Sequence, residues 1–297
     1  MNITTLDDNV KIAGKHFSVT FSESKGALIS FKNKDREMLK SPLVPNFWRA
    51  PTDNDSGPNA GGSKMPQRLG IWKDAAINGK VTAFDIKQMK KDVVRVKVAL
   101  ALAAKDSIFE SVYTLFGDGR ILVENELKAP KDLPGIPRVG MQMAVTDSID
   151  NMQWYGRGSW ESYWDRKTGA AIGIYSEKIS EPEHVYVVPQ ETGNKTDVRW
   201  AKFTDDKGNG FCVEGVGPLS VSAWPCSMND LIEAKHPYEI PERDFNTVNV
   251  DHKQMGVGGD NSWGYETHPE YTIPAGNYKY QFIIKPLTGK HKWLIFL

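Results

Sequence analysis

The chain has 297 residues, of which 40% are hydrophobic and 25% are charged, as is usual for a globular domain. Its 37 basic residues balance its 37 acidic residues, so there is no cationic excess to bind nucleic acid or an anionic membrane. No apolar run approaches the ~20 residues of a membrane span, and the polar N-terminus lacks the apolar core of a secretory signal.

Short segments with period-two alternation follow one another along the chain, which is typical of half-buried strands. They are residues 17–21, 27–32, 94–100, 112–116, 121–127, 141–145, 171–175, 211–216, 220–224 and 278–284. The best helical segment is residues 227–235, about two turns long, with Ser227 as a candidate N-cap. Since no long helices separate the strands, we predict an all-β fold, a large antiparallel sandwich with few short helices.

Four polar segments rich in aromatic residues interrupt the strands: residues 46–55 (NFWRAPTDND), 156–166 (GRGSWESYWDR), 189–200 (PQETGNKTDVRW) and 255–264 (MGVGGDNSWG). The last places Trp263 on a Gly-rich loop beside Asp260 and Asn261. An indole ring can cover the apolar face of a pyranose while neighbouring amides and carboxylates bond its hydroxyls. The alternative is a turn whose tryptophan fills a core.

The first segment leads into a long polar loop, residues 52–67, of a kind that is usually functional or mobile. Asp53 and Asp55 could ligate a hard cation, but the residues after them do not complete an EF-hand loop. We therefore favour turns in which these side chains bond local backbone and Arg49 pairs with a carboxylate.

The second segment contains neither a Gly-x-Ser-x-Gly elbow nor a dinucleotide-binding fingerprint. Its charged residues Glu161, Asp165 and Arg166 could be catalytic, but a structural ion-pair cluster is the better interpretation. Glycoside hydrolysis needs two facing carboxylates, and the sequence singles out no such pair. Metal-ligand spacings are absent as well, so we expect no catalytic residue and no metal site on this chain.

The third segment brings Glu191, Asn194 and Trp200 together, as a carbohydrate-binding surface would. The alternative is a structured turn that ends in a strand. The two cysteines, Cys212 and Cys226, form no framework and no zinc spacing, although a single disulfide between them stays open.

These four segments, in this order and spacing, resemble the C-terminal small-chain domain of the large bacterial β-galactosidases of glycoside hydrolase family 2. The resemblance covers residues 10–287, which leaves residues 1–9 as an N-terminal lead-in and residues 288–297 as a C-terminal tail of unknown order. It implies a large antiparallel super-sandwich related in shape to the galactose mutarotases.

The resemblance also implies an activity. Such enzymes hydrolyse terminal β-D-galactosides such as lactose with retention, using two glutamates on a separate (β/α)8 barrel that also holds magnesium. This chain has no counterpart of that barrel, so we expect it to be inactive alone and to carry no cofactor. Its expected partners are a galactoside or other sugar and the catalytic barrel domain or large chain. We expect a cytoplasmic protein, with the periplasm as the alternative.

Within the family, the tryptophan that matches Trp263 stacks on the sugar in the active site. The residues that we expect to shape or support its loop are Asp260, Asn261, Glu191, Asn194 and Trp200.

Two other functions stay open. The chain could be a free-standing carbohydrate-binding module that uses Trp263 and Trp200, or a mutarotase-like epimerase, for which His184 and Glu191 are the nearest acid–base pair in the sequence.

Overall fold

The computed structural model describes residues 1–56, 64–182, 184–261 and 265–289. Within these ranges seventeen strands form one continuous sheet, and every pair of neighbouring strands runs antiparallel. The helices described are few and short. The predicted all-β antiparallel fold is therefore confirmed. None of the described helices has the length and apolar character needed to cross a membrane.

The strands are β1 (Asn2–Leu6), β2 (Asn9–Ala13), β3 (Phe17–Ser22), β4 (Ala27–Asn33), β5 (Arg36–Glu37), β6 (Leu39–Asn46), β7 (Lys80–Lys90), β8 (Val93–Ala101), β9 (Ile108–Phe116), β10 (Ile121–Lys128), β11 (Arg138–Thr146), β12 (Asn151–Gly158), β13 (Ala171–Lys178), β14 (Lys195–Thr204), β15 (Gly210–Trp224), β16 (Phe245–Gln254) and β17 (Tyr278–Leu287). The α-helices are α1 (Asp53–Ser56), α2 (Met65–Leu69) and α3 (Met228–Glu233). Single turns of 3-10 helix lie at Gly70–Trp72, Pro237–Glu239 and Pro269–Tyr271.

Strand β15 joins two layers of the sheet. Its first half, residues 210–215, pairs with β17, and its second half, residues 220–224, pairs with β16. From β17 the sheet continues through β10, β9 and β8 to β7, and from β16 it continues through β11 and β6 towards β4, β3, β2 and β1. The two segments that the sequence predicted as separate strands are thus one long strand shared by both layers.

A large hydrophobic core fills the space between the layers, and a second, smaller cluster consists of Ala50, Trp224, Cys226 and Leu231. Phe21 of β3 meets Tyr113 of β9 edge to face, with ring centroids 5.0 Å apart. Strand β8 shows the predicted alternation, because Val94, Val96 and Val98 are all buried. Each large apolar side chain that is fully buried contributes about 1.5–3 kcal/mol, so this shared core is what holds the layers together.

The structure can be compared with several local predictions. Ser227 does cap helix α3, through a capping box with Asp230. Residues 52–67 contain helix α1 and the start of helix α2, so the described part of that segment is not a plain loop. The predicted lead-in, residues 1–9, includes strand β1, which pairs with β2. Most of the predicted tail, residues 290–297, lies outside the described residues.

Cys212 and Cys226 are free thiols, so the disulfide that the sequence left open is not formed. Both are buried, and burial raises the pKa of Cys212 to about 11 and that of Cys226 to about 12. They pack as small apolar side chains rather than as reactive groups.

Candidate functional site

Side chains of the first segment donate to the backbone carbonyl groups at the stem of the Gly-rich loop, residues 255–258. The guanidinium of Arg49 donates to the carbonyl of Met255 at 2.7 Å and to that of Gly256 at 2.9 Å. The side-chain amide of Asn54 donates to the carbonyl of Val257 at 3.0 Å. The first sequence segment therefore serves as a support for the last one.

The same stem is held by its amide groups from the other side. One oxygen of Asp165, in the second segment, accepts hydrogen bonds from the amides of Val257 at 3.0 Å and Gly258 at 2.7 Å. A Cβ atom on Gly256 would lie 2.6 Å from the carboxyl carbon of Asp165, and one on Gly258 would lie 3.0 Å from its oxygen. These glycines are therefore needed for the close approach of a carboxylate.

Arg49 is itself fixed by a buried ion pair. Its Nε and Nη2 bond the two oxygens of Asp55 at 2.9 and 2.8 Å, and Asp55 also accepts the amide hydrogen of Thr52. Asp53 accepts from the side-chain amide of Gln190 at 3.2 Å. The first segment thus forms the turn with an arginine–carboxylate pair that we favoured over a cation site. In the described part of the chain, no three His, Cys, Asp or Glu side chains converge to hold a metal ion.

The third segment is interior rather than a sugar-binding surface. Glu191 is 1% exposed and Asn194 is 0% exposed. Glu191 accepts from the guanidinium of Arg138 at 2.9 Å and from the side chain of Gln254 at 3.1 Å, while Asn194 donates to the carbonyl of Ser162 at 2.8 Å. Neither side chain can touch a sugar from this position, so the predicted surface is wrong for these two residues.

The ion-pair cluster predicted for the second segment is only partly present. Glu161 bonds Arg166 and the hydroxyl of Tyr186, and it accepts the amide hydrogen of Gly193 at 2.8 Å. Asp165 takes no part in this cluster, because its carboxylate faces the Gly-rich loop. Sequence spacing could not separate the two acidic residues, which lie on the same short segment.

A second buried charge cluster lies beside the Arg49–Asp55 pair, because Gln254 bonds both Arg49 and Glu191. The sequence did not indicate this cluster. Arg138 bonds Glu191 and lies 3.2 Å from an oxygen of Asp251, and all three side chains are enclosed. Because Arg49 is paired with Asp55, the guanidinium of Arg138 faces both carboxylates of this cluster, those of Glu191 and Asp251. Burial raises the pKa of Asp251 to about 7, and the neighbouring Glu191 adds to the rise against the opposing effect of Arg138.

Asp260 and Asn261, which follow the stem in the Gly-rich loop, are both exposed. Oδ1 of Asp260 lies 2.6 Å from Nε2 of His268, so this contact links the chain at residue 260 to the chain at residue 268. The carboxylates of Asp260 and Glu270 raise the pKa of His268. Trp263 lies outside the described residues, and its sugar-stacking role stays a prediction.

Trp200 is not brought to this loop stem. It lies on strand β14 against Tyr155 of β12, with ring centroids 6.3 Å apart, and the ammonium of Lys202 lies 4.2 Å from its ring centroid. The proposed epimerase pair is also separated: His184 lines a surface cleft, whereas Glu191 is enclosed with Arg138 and does not line that cleft. These two residues therefore form no acid–base site.

The fold defines a general class of protein. It is a galactose mutarotase-like β domain, similar to the GalM/aldose epimerase homologue of C. elegans with a TM-score of 0.53. That likeness covers 93% of this chain and 98% of the other at 10% sequence identity, so it concerns the fold alone.

The family follows from the sequence comparison. The family described as beta galactosidase small chain matches residues 13–284, and the chain belongs to it. It is 40% identical over 287 residues to a β-galactosidase of Priestia megaterium and 37% identical over 274 residues to one of Halalkalibacterium halodurans. These matches cover 95% and 91% of this chain but only 27% and 26% of the relatives, so the chain spans about a quarter of their length.

We expect Asp165→Ala to loosen the loop stem without unfolding the domain. The change removes the acceptor for two backbone amides. A hydrogen bond to a charged group contributes about 1.5–3 kcal/mol, but the site is half-buried, so water replaces part of the lost bonding. Hydrogen exchange at Val257 and Gly258 should become faster, with a drop of about 1–3 kcal/mol in the free energy of unfolding. The control, Asp85→Ala at an exposed position of β7, should stay within about 0.5 kcal/mol. Unchanged exchange at both amides would contradict the two-sided support.

We expect Asp251 to make the domain less stable as the pH rises from about 4 to about 7. The pKa of Asp251 in the folded chain, about 7, lies above its ordinary value of 3.8, so the folded state holds a proton that the unfolded state has released. The free energy of unfolding should fall by up to about 1.4 kcal/mol per pH unit in this window and level off above it.

Asp251→Asn should remove this slope, because the amide cannot titrate. The measurement is urea unfolding of both proteins from pH 4 to pH 8, taking the difference between them so that other titrating groups cancel. A difference that does not vary with pH would show that Asp251 keeps an ordinary pKa.

Proposed function

We propose that this chain completes the galactoside-binding site of a β-galactosidase whose catalytic residues lie on a separate barrel domain. The observation that carries the proposal is the two-sided support of the loop stem: Arg49 and Asn54 hold its carbonyl groups, and Asp165 holds its amides. The supported stem leads directly into the segment that contains Trp263.

Rigid support matters for a sugar-binding loop. A stacking contact between an aromatic ring and a sugar is modest in energy, and ordering a mobile loop on binding would cancel much of it. A loop whose backbone is already fixed to buried side chains avoids most of that cost. The membership of the chain in the small-chain family supports a galactoside as the ligand class, because its relatives are β-galactosidases.

Three acidic residues around the loop are bonded to other groups of the domain. Glu161 bonds Arg166, Asp165 bonds the loop stem, and Glu191 bonds Arg138. A retaining glycosidase needs an acid/base and a nucleophile about 5–5.5 Å apart across the scissile bond. We assign that pair, together with the magnesium ion, to the barrel of a family 2 glycoside hydrolase, and the hydrolysis of terminal β-D-galactosides such as lactose to the assembled enzyme.

The first test is activity. The isolated chain should not hydrolyse a nitrophenyl β-galactoside, whereas the Priestia megaterium enzyme should remain active when its matching part is exchanged for this chain. Robust hydrolysis by the chain alone would refute the division of labour. Calorimetry of the chain alone with millimolar galactose should show no heat, and clear binding would instead support a free-standing carbohydrate-binding module.

We expect Trp263→Ala in the exchanged enzyme to lower kcat/KM for lactose by about 5- to 150-fold. This corresponds to a loss of about 1–3 kcal/mol of stacking with the sugar. The melting temperature should hardly change. The matched control is Trp160→Ala, which removes a tryptophan that is 60% exposed in the second segment and should leave both quantities unaltered. A large drop in melting temperature for Trp263→Ala would identify Trp263 as a core residue.

A further inference from the structure

A second feature of the surface is an apolar cleft of about 550 Å³. Two stretches of chain without strands, residues 184–192 and 237–243, form most of its walls, and Trp224 lines it as well. Five prolines line it: Pro182, Pro189, Pro225, Pro237 and Pro241. Since proline fixes its own backbone angle, these walls are stiff although they belong to no strand.

The rim of this proline-lined cleft is unusually apolar for a surface exposed to water. Val185, which lines the cleft, is 60% exposed. Val187 and Tyr238, which directly follow the lining residues Tyr186 and Pro237 in the chain, are 81% and 82% exposed. Single exposed apolar side chains are common, but several on two short stretches that enclose a cleft indicate a surface that another protein covers.

Two of the polar side chains that line the cleft are already bonded within the domain. The indole nitrogen of Trp224 donates to the carbonyl of Thr192 at 2.8 Å, and Arg243 is paired with Asp230 at 2.6 Å. A sugar would leave its hydroxyls short of partners here, which is costly for buried polar groups. Apolar side chains of a protein segment fit this chemistry better.

The cleft adjoins the two segments, residues 46–55 and 156–166, that supply the supports of the Gly-rich loop. Gln190, which bonds Asp53, lines the cleft, and so does Tyr186, which bonds Glu161. A protein that contacts the loop therefore lies beside the cleft as well. The relatives are β-galactosidases about four times as long as this chain, so a large partner surface exists in the family.

We propose that the proline-lined cleft receives an apolar segment from the rest of the β-galactosidase, the part of the relatives that this chain does not match. The proposal rests on the proposed function for the identity of the partner. It adds a docking surface that is separate from the sugar-binding loop, with Val187 and Tyr238 as the side chains that become covered.

The test compares the rate of cysteine labelling by a maleimide in two settings. Val187→Cys is placed in the isolated chain and in the Priestia megaterium enzyme whose matching part is exchanged for this chain. Ile77→Cys is the matched control, because Ile77 is also 81% exposed but lies on a turn away from the cleft. The native Cys212 and Cys226 are buried, and mass spectrometry of the labelled peptides separates all sites.

Both introduced cysteines should react at similar rates in the isolated chain. In the exchanged enzyme the rate at Val187→Cys should fall at least tenfold, while the rate at Ile77→Cys should change by less than twofold. A rate at Val187→Cys that is the same in both settings overturns the proposal. Protection in the isolated chain that grows with protein concentration also overturns it, because the occupant would then be a second copy.

Activity keeps this result separate from the proposed function. An active enzyme with an unprotected Val187→Cys would overturn the docking surface alone, whereas a protected site in an inactive enzyme would count against the proposed function alone. Should the exchanged enzyme fail to fold, the same labelling is measured after mixing this chain with the Priestia megaterium enzyme from which the matching part is deleted. The labelling rate at Tyr238→Cys gives an independent measurement on the second lining stretch, residues 237–243, with the same expected outcomes.

Discussion

The buried ion pair between Arg49 and Asp55 is the interaction on which the loop depends. Arg49 is wholly enclosed, and an enclosed guanidinium without a partner would be strongly destabilising. Asp55 compensates its charge through two hydrogen bonds, and the remaining donors of Arg49 are left for the carbonyls of Met255 and Gly256. The cost of burying the charge is thereby offset by contacts that fix the direction in which the Gly-rich loop leaves strand β16.

The same arrangement explains why four distant parts of the sequence share one character. Three of them supply polar side chains whose partners lie on another segment: Asn54 bonds Val257, Asp165 bonds Gly258, and Gln190 bonds Asp53. The fourth supplies backbone groups. Networks of this kind are stable only when most of their members are satisfied. The segments therefore act as one unit, and the domain presents their combined effect at a single loop.

The sequence predicted the fold well where one face of a strand is buried and the other meets water, as in strand β8 and the β9–β10 hairpin. It missed β16, because six consecutive residues there are buried and the alternation is lost. Inside the domain, Asn249 accepts a hydrogen bond from Arg138 of β11, and Asp251 lies against the same guanidinium; no local pattern reveals such partners. For the same reason Glu191 and Asn194 were mistaken for surface residues, whereas the pairing of Arg49 with a nearby carboxylate was predictable from a short turn.

We propose that the supports of the loop stem act on sugar recognition through Trp263. A double-mutant cycle of kcat/KM for lactose, with Asp165→Ala and Trp263→Ala in the exchanged β-galactosidase, tests it most directly. We predict strong coupling, so that Asp165→Ala has little further effect once the indole is gone. Purely additive losses would contradict it, because Asp165 and Trp263 would then serve the enzyme independently.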